Sequence, residues 1–166
     1  MIVVVNGFPL SGKDEFVKFC ILYLKTKSIK GYNKSSVDKV KKIAKEMGWD
    51  GNKDPKSRKY LSDIKDLYTW YCDGPTKDII DFSENNDGII FFHCREPKEI
   101  EKLVNKKIDT KTLLIRRFEY TTCDTNHADI YVEEYSYDYI IENIEGLDLL
   151  KKSAEKFIED ILYKWT

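Results

Sequence analysis

Seven residues near the start of the chain, Gly7-Phe8-Pro9-Leu10-Ser11-Gly12-Lys13, have the types and the G-x-x-x-x-G-K spacing that hold a polyphosphate. Glycines let the backbone come close to phosphate oxygens, and a lysine at the end of the run supplies a mobile point charge for the terminal phosphates. Residues 2–5 are Ile-Val-Val-Val, an apolar run suited to a buried parallel strand. After Lys13, apolar Phe16, Phe19, Cys20, Tyr23 and Leu24 recur at helical spacing. Strand, loop and helix in that order are the context the motif requires. The first amides of a helix have no intrahelical partner, and the helix dipole favours an anion beside them. Gly7, Leu10, Ser11, Gly12, Lys13, Asp14 and Glu15 are therefore the expected phosphate-binding set. The acidic pair Asp14-Glu15 stands where many such loops carry Ser or Thr for Mg²⁺.

Arginine is the second chemical signal. Only four of the 28 basic residues are arginine, Arg58, Arg95, Arg116 and Arg117, and a planar guanidinium fork suits phosphate better than an ammonium does. Arg95 follows the apolar run 89–93, and Arg116 and Arg117 follow the run 112–115. If those runs are parallel strands, three arginines fall on the edge where the phosphate loop also lies, outside the carboxyl ends of the strands. With Lys13 they would surround a transferring phosphoryl group, where catalysis is mostly positioning and charge stabilisation.

The elements that must position these residues alternate. A short polar strand is expected over 28–33, then a helix opened by a capping box with Ser35 as N-cap and Asp38 three residues on. Asp54-Pro55 starts a further helix, a side-chain cap followed by proline at the first position. Its stripe of Tyr60, Leu61, Ile64, Leu67, Tyr68 and Tyr71 is expected in the core. A short helix follows over 76–84, then the strand 89–93, a helix opened by Pro97 and the strand 112–115. Residues 118–136 show little periodicity and read as a lid that includes His127 and Asp129; a strand over 137–142 and a helix over 147–165 close the chain. Strands alternating with helices specify an α/β fold of three layers, a mostly parallel sheet of about five strands covered on both faces.

A length of 166 residues fits a single domain with a real core. The net charge of −1 gives no broad footprint for a nucleic acid polymer or an anionic membrane, so any polyanion must be met locally. No run is long and apolar enough to span a bilayer and no basic segment precedes the first apolar run, so a cytoplasmic protein is expected. The four cysteines, Cys20, Cys72, Cys94 and Cys123, contain no C-x-x-C pair and read as reduced, packed thiols.

Ser11-Gly12-Lys13-Asp14 resembles the loop of phage-type deoxynucleoside monophosphate kinases and of animal-type phosphomevalonate kinases, in which aspartate follows the lysine. The segments at 35–41, 47–51, 58–67, His93-Cys94-Arg95-Glu96-Pro97 and Tyr137-Asp138-Tyr139 through Asn143 are similar to the phage-type kinases, so the likeness spans nearly the whole chain. It implies a P-loop NTPase fold of the nucleoside monophosphate kinase type, ATP with Mg²⁺ as donor and a small phosphorylated acceptor, in a monomer or homodimer. It further implies that Lys13, Arg95 and Arg116 are catalytic and that Arg117 serves the nucleotide side of the lid. Ser36, Lys41 and Arg58, with Arg95, would form the acceptor set, in a helical region at about 35–84. Asp14 would be the protein group nearest the metal. His93 stands where relatives carry an aspartate two residues before their arginine, and a sheet-edge role is expected for it. The expected reaction is phosphoryl transfer from ATP to a nucleoside monophosphate, above all a deoxynucleotide. A nucleotide-binding module without transfer and a kinase of another small phosphorylated metabolite are the alternatives.

Overall fold

The computed structural model describes residues 1–106, 108–117, 132–144 and 146–164. The chain divides into two compact units, Met1–Asn33 with Asp87–Thr166, and Lys34–Asn86.

In the larger unit, β1 (Ile2–Asn6) is buried at every position. That is what its unbroken apolar run predicts for a central parallel strand. It is flanked by β3 (Ile89–His93) and β4 (Thr110–Arg116), both parallel to it, and β4 pairs in parallel with β5 (Tyr139–Glu142). With β2 (Gly31–Ser35) outside β3, the five-stranded order is β2-β3-β1-β4-β5. Alternate side chains divide the layers. Val3, Val5, Ile89, Phe91, Leu113 and Ile115 share one apolar cluster with Phe16, Val17, Cys20 and Leu24 of α1 (Lys13–Thr26) and with Leu150, Ala154, Phe157, Ile158 and Ile161 of α6 (Gly146–Tyr163). Helix α5 (Pro97–Val104) packs on β4 with Ile100 and Leu103 buried. The three-layer α/β fold expected from the alternation of elements is the one observed.

The start of β5 is locked by a reciprocal pair. The Thr112 amide and hydroxyl both donate to one Asp138 oxygen, at 2.8 and 2.9 Å, and the Asp138 amide returns a bond to the Thr112 hydroxyl at 2.9 Å. The strand therefore begins at Tyr139, two residues later than periodicity predicts, because Asp138 spends its hydrogen bonds on β4 before the ladder starts.

The smaller unit holds α2 (Asp38–Glu46), α3 (Pro55–Cys72) and α4 (Gly74–Glu84). Asp54 caps α3 as expected, its side chain accepting from the Ser57 amide at 2.7 Å, with Pro55 in the first turn. The capping box before α2 is only half formed. Asp38 accepts from the Ser35 amide at 2.8 Å, but Val37, not Ser35, is the N-cap. The strand expected over 28–33 is displaced to 31–35, because Ser28 takes a left-handed turn, φ 59°, as α1 ends. The expected core stripe of α3 is corrected as well. Leu67 and Tyr71 are 63% and 82% exposed, and the buried position on that helix is Lys65. What anchors α3 is Tyr68: its hydroxyl donates to Asp78 Oδ2 at 2.9 Å, the Lys39 ammonium sits 5.0 Å from its ring centroid, and a Cβ on Gly74 would collide with the ring.

Candidate phosphate-binding site

Three parallel strands, β1, β3 and β4, end on one edge, and the chain leaves each end carrying a residue suited to phosphate. From β1 the chain enters the Gly7-to-Lys13 loop. Gly7 has φ 150° and lies so close to β4 that a Cβ would come within 2.5 Å of the Ile115 carbonyl oxygen and 2.7 Å of Ser11 Oγ. Gly12, at φ 90°, is the N-cap of α1 with no side chain capping the helix start. A Cβ there would meet Asn143 Nδ2 at 2.5 Å. Both glycines are thus required by close approach, and Gly12 by its left-handed backbone as well. The uncapped first turn of a 14-residue helix leaves its amides to an anion.

Ser11 Oγ lies inside this loop, buried and, among the described residues, without a hydrogen-bond partner. A buried hydroxyl in that condition is what a ligand oxygen would satisfy. Lys13 is 9% exposed, and its ammonium donates to the Phe8 carbonyl at 3.0 Å, folded across its own loop. The Ser11 amide also bonds to Phe8 O, at 3.2 Å. Leu10 stands at the tip with φ 63° and 69% exposure. These features fit the triphosphate of a nucleotide: a cradle too tight for side chains, an uncapped helix start, a cation and an unsatisfied hydroxyl.

Asp14 projects outward, its side chain 87% exposed, with one oxygen 3.8 Å from His93 Nδ1 at the end of β3. Among the described residues no three His, Cys, Asp or Glu side chains cluster as a metal cage. Mg²⁺ ordinarily keeps several waters and takes one or two carboxylates together with phosphate oxygens, and Asp14 is the carboxylate beside the loop that could serve it. Glu15 forms an ion pair with Lys18 at 2.9 Å on the outer face of α1.

Arg95 lies two residues beyond β3, and Arg116 ends β4 with Arg117 next to it. Arg116 is engaged by carboxylates, Nε to Glu133 Oε1 at 2.9 Å and Nη1 to Glu142 Oε1 at 3.8 Å. The edge therefore brings together Gly7, Leu10, Ser11, Gly12, Lys13, Asp14, Arg95, Arg116 and Arg117. Of the residues expected to meet an acceptor, Ser36, Lys41 and Arg58 lie in the smaller unit and Arg95 in the larger. Ser36 is half-buried between β2 and α2, Lys41 is exposed on α2, and Arg58 is exposed in the first turn of α3 with Nε donating to Lys53 O at 3.0 Å. Most of the expected lid, including His127 and Asp129, lies outside the described residues.

No family model matches the chain, and no curated protein matches it. Among solved structures it is similar to a cysteine-to-alanine mutant of the APS kinase CysC of Mycobacterium tuberculosis, with 14% identity and a TM-score of 0.47 over 95% of this chain and 96% of that one.

Two asparagines at the site carry no role in the sequence reading. Asn143, just after β5, donates from Nδ2 to the Ser11 carbonyl at 2.9 Å and from its amide to Arg116 O at 2.8 Å, fastening the loop to the end of β4. Asn6, the fully buried last residue of β1, contacts the loop, Arg95 two residues beyond β3, and Tyr137 at once. The one sequence sign of Asn6 is a lone polar residue closing an apolar strand immediately before Gly7. Among the described residues, no helix is long and apolar enough to cross a membrane.

Proposed function

We propose that the chain is a P-loop kinase that transfers the γ-phosphoryl group of ATP to a small phosphorylated acceptor, and that the acceptor is a nucleoside monophosphate, preferentially a deoxynucleotide. The observation that carries the phosphate-binding half is the loop itself: the Gly7 and Gly12 cradle at the uncapped start of α1, holding Lys13 and a buried Ser11 hydroxyl with no hydrogen-bond partner among the described residues. Arg95, Arg116 and Arg117 on the same sheet edge support transfer rather than simple binding, because a loose phosphoryl-transfer transition state is stabilised chiefly by placed positive charge. An acceptor phosphate is already ionised at neutral pH and demands no strong general base. The acceptor class rests on the resemblance of 35–41, 58–67 and 93–100 to the phage-type kinases, with Ser36, Lys41, Arg58 and Arg95 as its contacts.

A coupled assay with ATP, Mg²⁺ and a panel of nucleoside and deoxynucleoside monophosphates tests this. Turnover of at least one deoxynucleotide is expected, and none with any member removes the acceptor assignment. The second reading, a nucleotide-binding module without transfer, is favoured by His93, whose ring faces Asp14 where relatives carry an aspartate. It predicts ATP binding with no transfer and no change in that binding on Arg95→Ala.

A further inference from the structure

We infer that Asn6 is a positioning residue that sets the phosphate loop and Arg95 in a single arrangement, with Tyr137 as its clamp; this rests on the phosphate-loop reading above. The side chain is fully buried, yet each of its polar positions is used. Oδ1 accepts from the Gly7 amide at 2.8 Å. Nδ2 donates to the Arg95 carbonyl at 3.2 Å and to the Tyr137 hydroxyl at 2.7 Å. The Tyr137 hydroxyl in turn donates to Val132 O at 2.8 Å. The partners fix the sense of the carboxamide, since an amide N–H can meet only its oxygen and a carbonyl only its nitrogen. One planar group thus sets the distance between the first residue of the phosphate loop and the backbone of the arginine beyond β3.

The arginine end is held from its other side too. The Cys94 amide donates to Val5 O at 3.3 Å, and Cys94 Sγ donates to buried Glu99 Oε2 at 3.3 Å. Tyr137 is placed by its neighbour Asp138, itself locked on Thr112. A buried polar network with all its members satisfied has one low-energy geometry, and removing a donor releases several bonds together. Asn6 touches neither phosphate in this scheme. It acts through Gly7 and Arg95.

The test compares Asn6→Asp, Tyr137→Phe, Arg95→Ala and Asn6→Asp/Arg95→Ala with the wild type in ATP affinity, acceptor kcat/KM and Tm. Ile158→Val, a core change in α6, is the control for lost stability alone. Aspartate keeps an acceptor for the Gly7 amide but has no donor for Arg95 O. Positioning predicts that Asn6→Asp weakens ATP binding about tenfold and Tyr137→Phe about threefold, the range expected for released hydrogen bonds. The control lowers Tm without moving the ATP Kd. Because Asn6 acts on the acceptor through Arg95, Asn6→Asp lowers acceptor kcat/KM far less in the Arg95→Ala background than in the wild type. Full additivity in that cycle, or ATP affinities within twofold of wild type in both Asn6→Asp and Tyr137→Phe, overturns the inference. Should Asn6→Asp not fold, Tyr137→Phe decides on the same criteria. A wild-type chain that binds ATP but phosphorylates nothing ends the kinase reading, and the ATP column alone then decides the role of Asn6. A wild-type chain that does not bind ATP overturns both.

Discussion

The carboxyl ends of β1 and β4 both lie at the candidate phosphate-binding edge, and they are held by opposite kinds of chemistry. At the end of β1, Asn6 is buried and, among the described residues, bonded only to neutral groups, while Ser11 is fastened through Asn143. At the end of β4, Arg116 is a quarter exposed and engaged by two partly exposed carboxylates, Glu133 and Glu142. Buried neutral bonds fix a geometry because no water competes for them. Exposed ion pairs contribute roughly 0–1 kcal/mol and exchange readily for another anion. On the proposed function, the first end stays in place and the second changes partners when a phosphate binds.

The comparison is most severely tested at Lys13, the charge that the rigid end presents. Lys13→Ala leaves the Phe8 carbonyl without its ammonium donor and, on the proposed function, removes a cation from the transferring group. Loss of one such electrostatic contact typically costs 10²–10³-fold in kcat. Steady-state kinetics with the best acceptor should show a fall of at least about 100-fold, with Tm little changed; a fall under tenfold would mean that Lys13 is a structural lysine. Gly12→Ala comes next. Its left-handed φ of 90° and the 2.5 Å approach of Asn143 Nδ2 to any Cβ leave the loop strained or displaced. Backbone strain of that kind costs about 1–3 kcal/mol, so both Tm and ATP affinity should drop, measured by thermal melting and calorimetric titration. An unaltered ATP affinity would show the Gly12 end to be as adaptable as the Arg116 end.

Much of the rigid end was legible in the sequence. A glycine-bounded loop between an apolar run and a helical stripe fixes strand, loop and helix in order, and parallel strands then force Arg95, Arg116 and Arg117 to one edge. What stayed hidden was the fastening. Nothing local distinguishes Asn6 from a strand-end residue or Asn143 from a turn residue, because each works through partners far away in sequence, Tyr137 and Ser11. Helix α3 misled for a related reason. Helical spacing of Leu67 and Tyr71 marks a face, but only a neighbouring element makes a face a core, and these two are exposed. The proposed acceptor rests on resemblance alone, since a phosphate loop specifies the anion and not the acceptor.

A pH titration sharpens the contrast with a smaller effect. Burial raises the Tyr137 phenol well above its ordinary value, despite the opposing bond from Asn6. The folded chain therefore holds that proton more tightly than the unfolded chain does. The contribution is complete below the unfolded phenol value of about 10 and is lost as pH rises above it. Burial moves the Cys20 thiol in the same direction. Denaturation profiles should accordingly show stability falling through the alkaline range, and less steeply in Tyr137→Phe. Equal slopes in the two proteins would detach Tyr137 from the buried network.

The smallest effect is expected at Glu133, and it bears directly on whether the β4 end changes partners. Glu133 Oε1 holds Arg116 Nε at 2.9 Å, so an incoming phosphate must compete with this carboxylate for the guanidinium. Glu133→Gln leaves the size of the side chain unchanged and removes the charge. If Arg116 exchanges between carboxylate and phosphate, ATP should bind about two- to fivefold more tightly to the variant at low ionic strength, the scale of an exposed ion pair. The advantage should shrink at high salt, where the Debye length falls to about 3 Å at 1 M. Tighter binding that persists in high salt would point to a packing change instead. Weaker binding would mean that Glu133 orients Arg116 toward the phosphate, which would make the β4 end as fixed as the end held by Asn6.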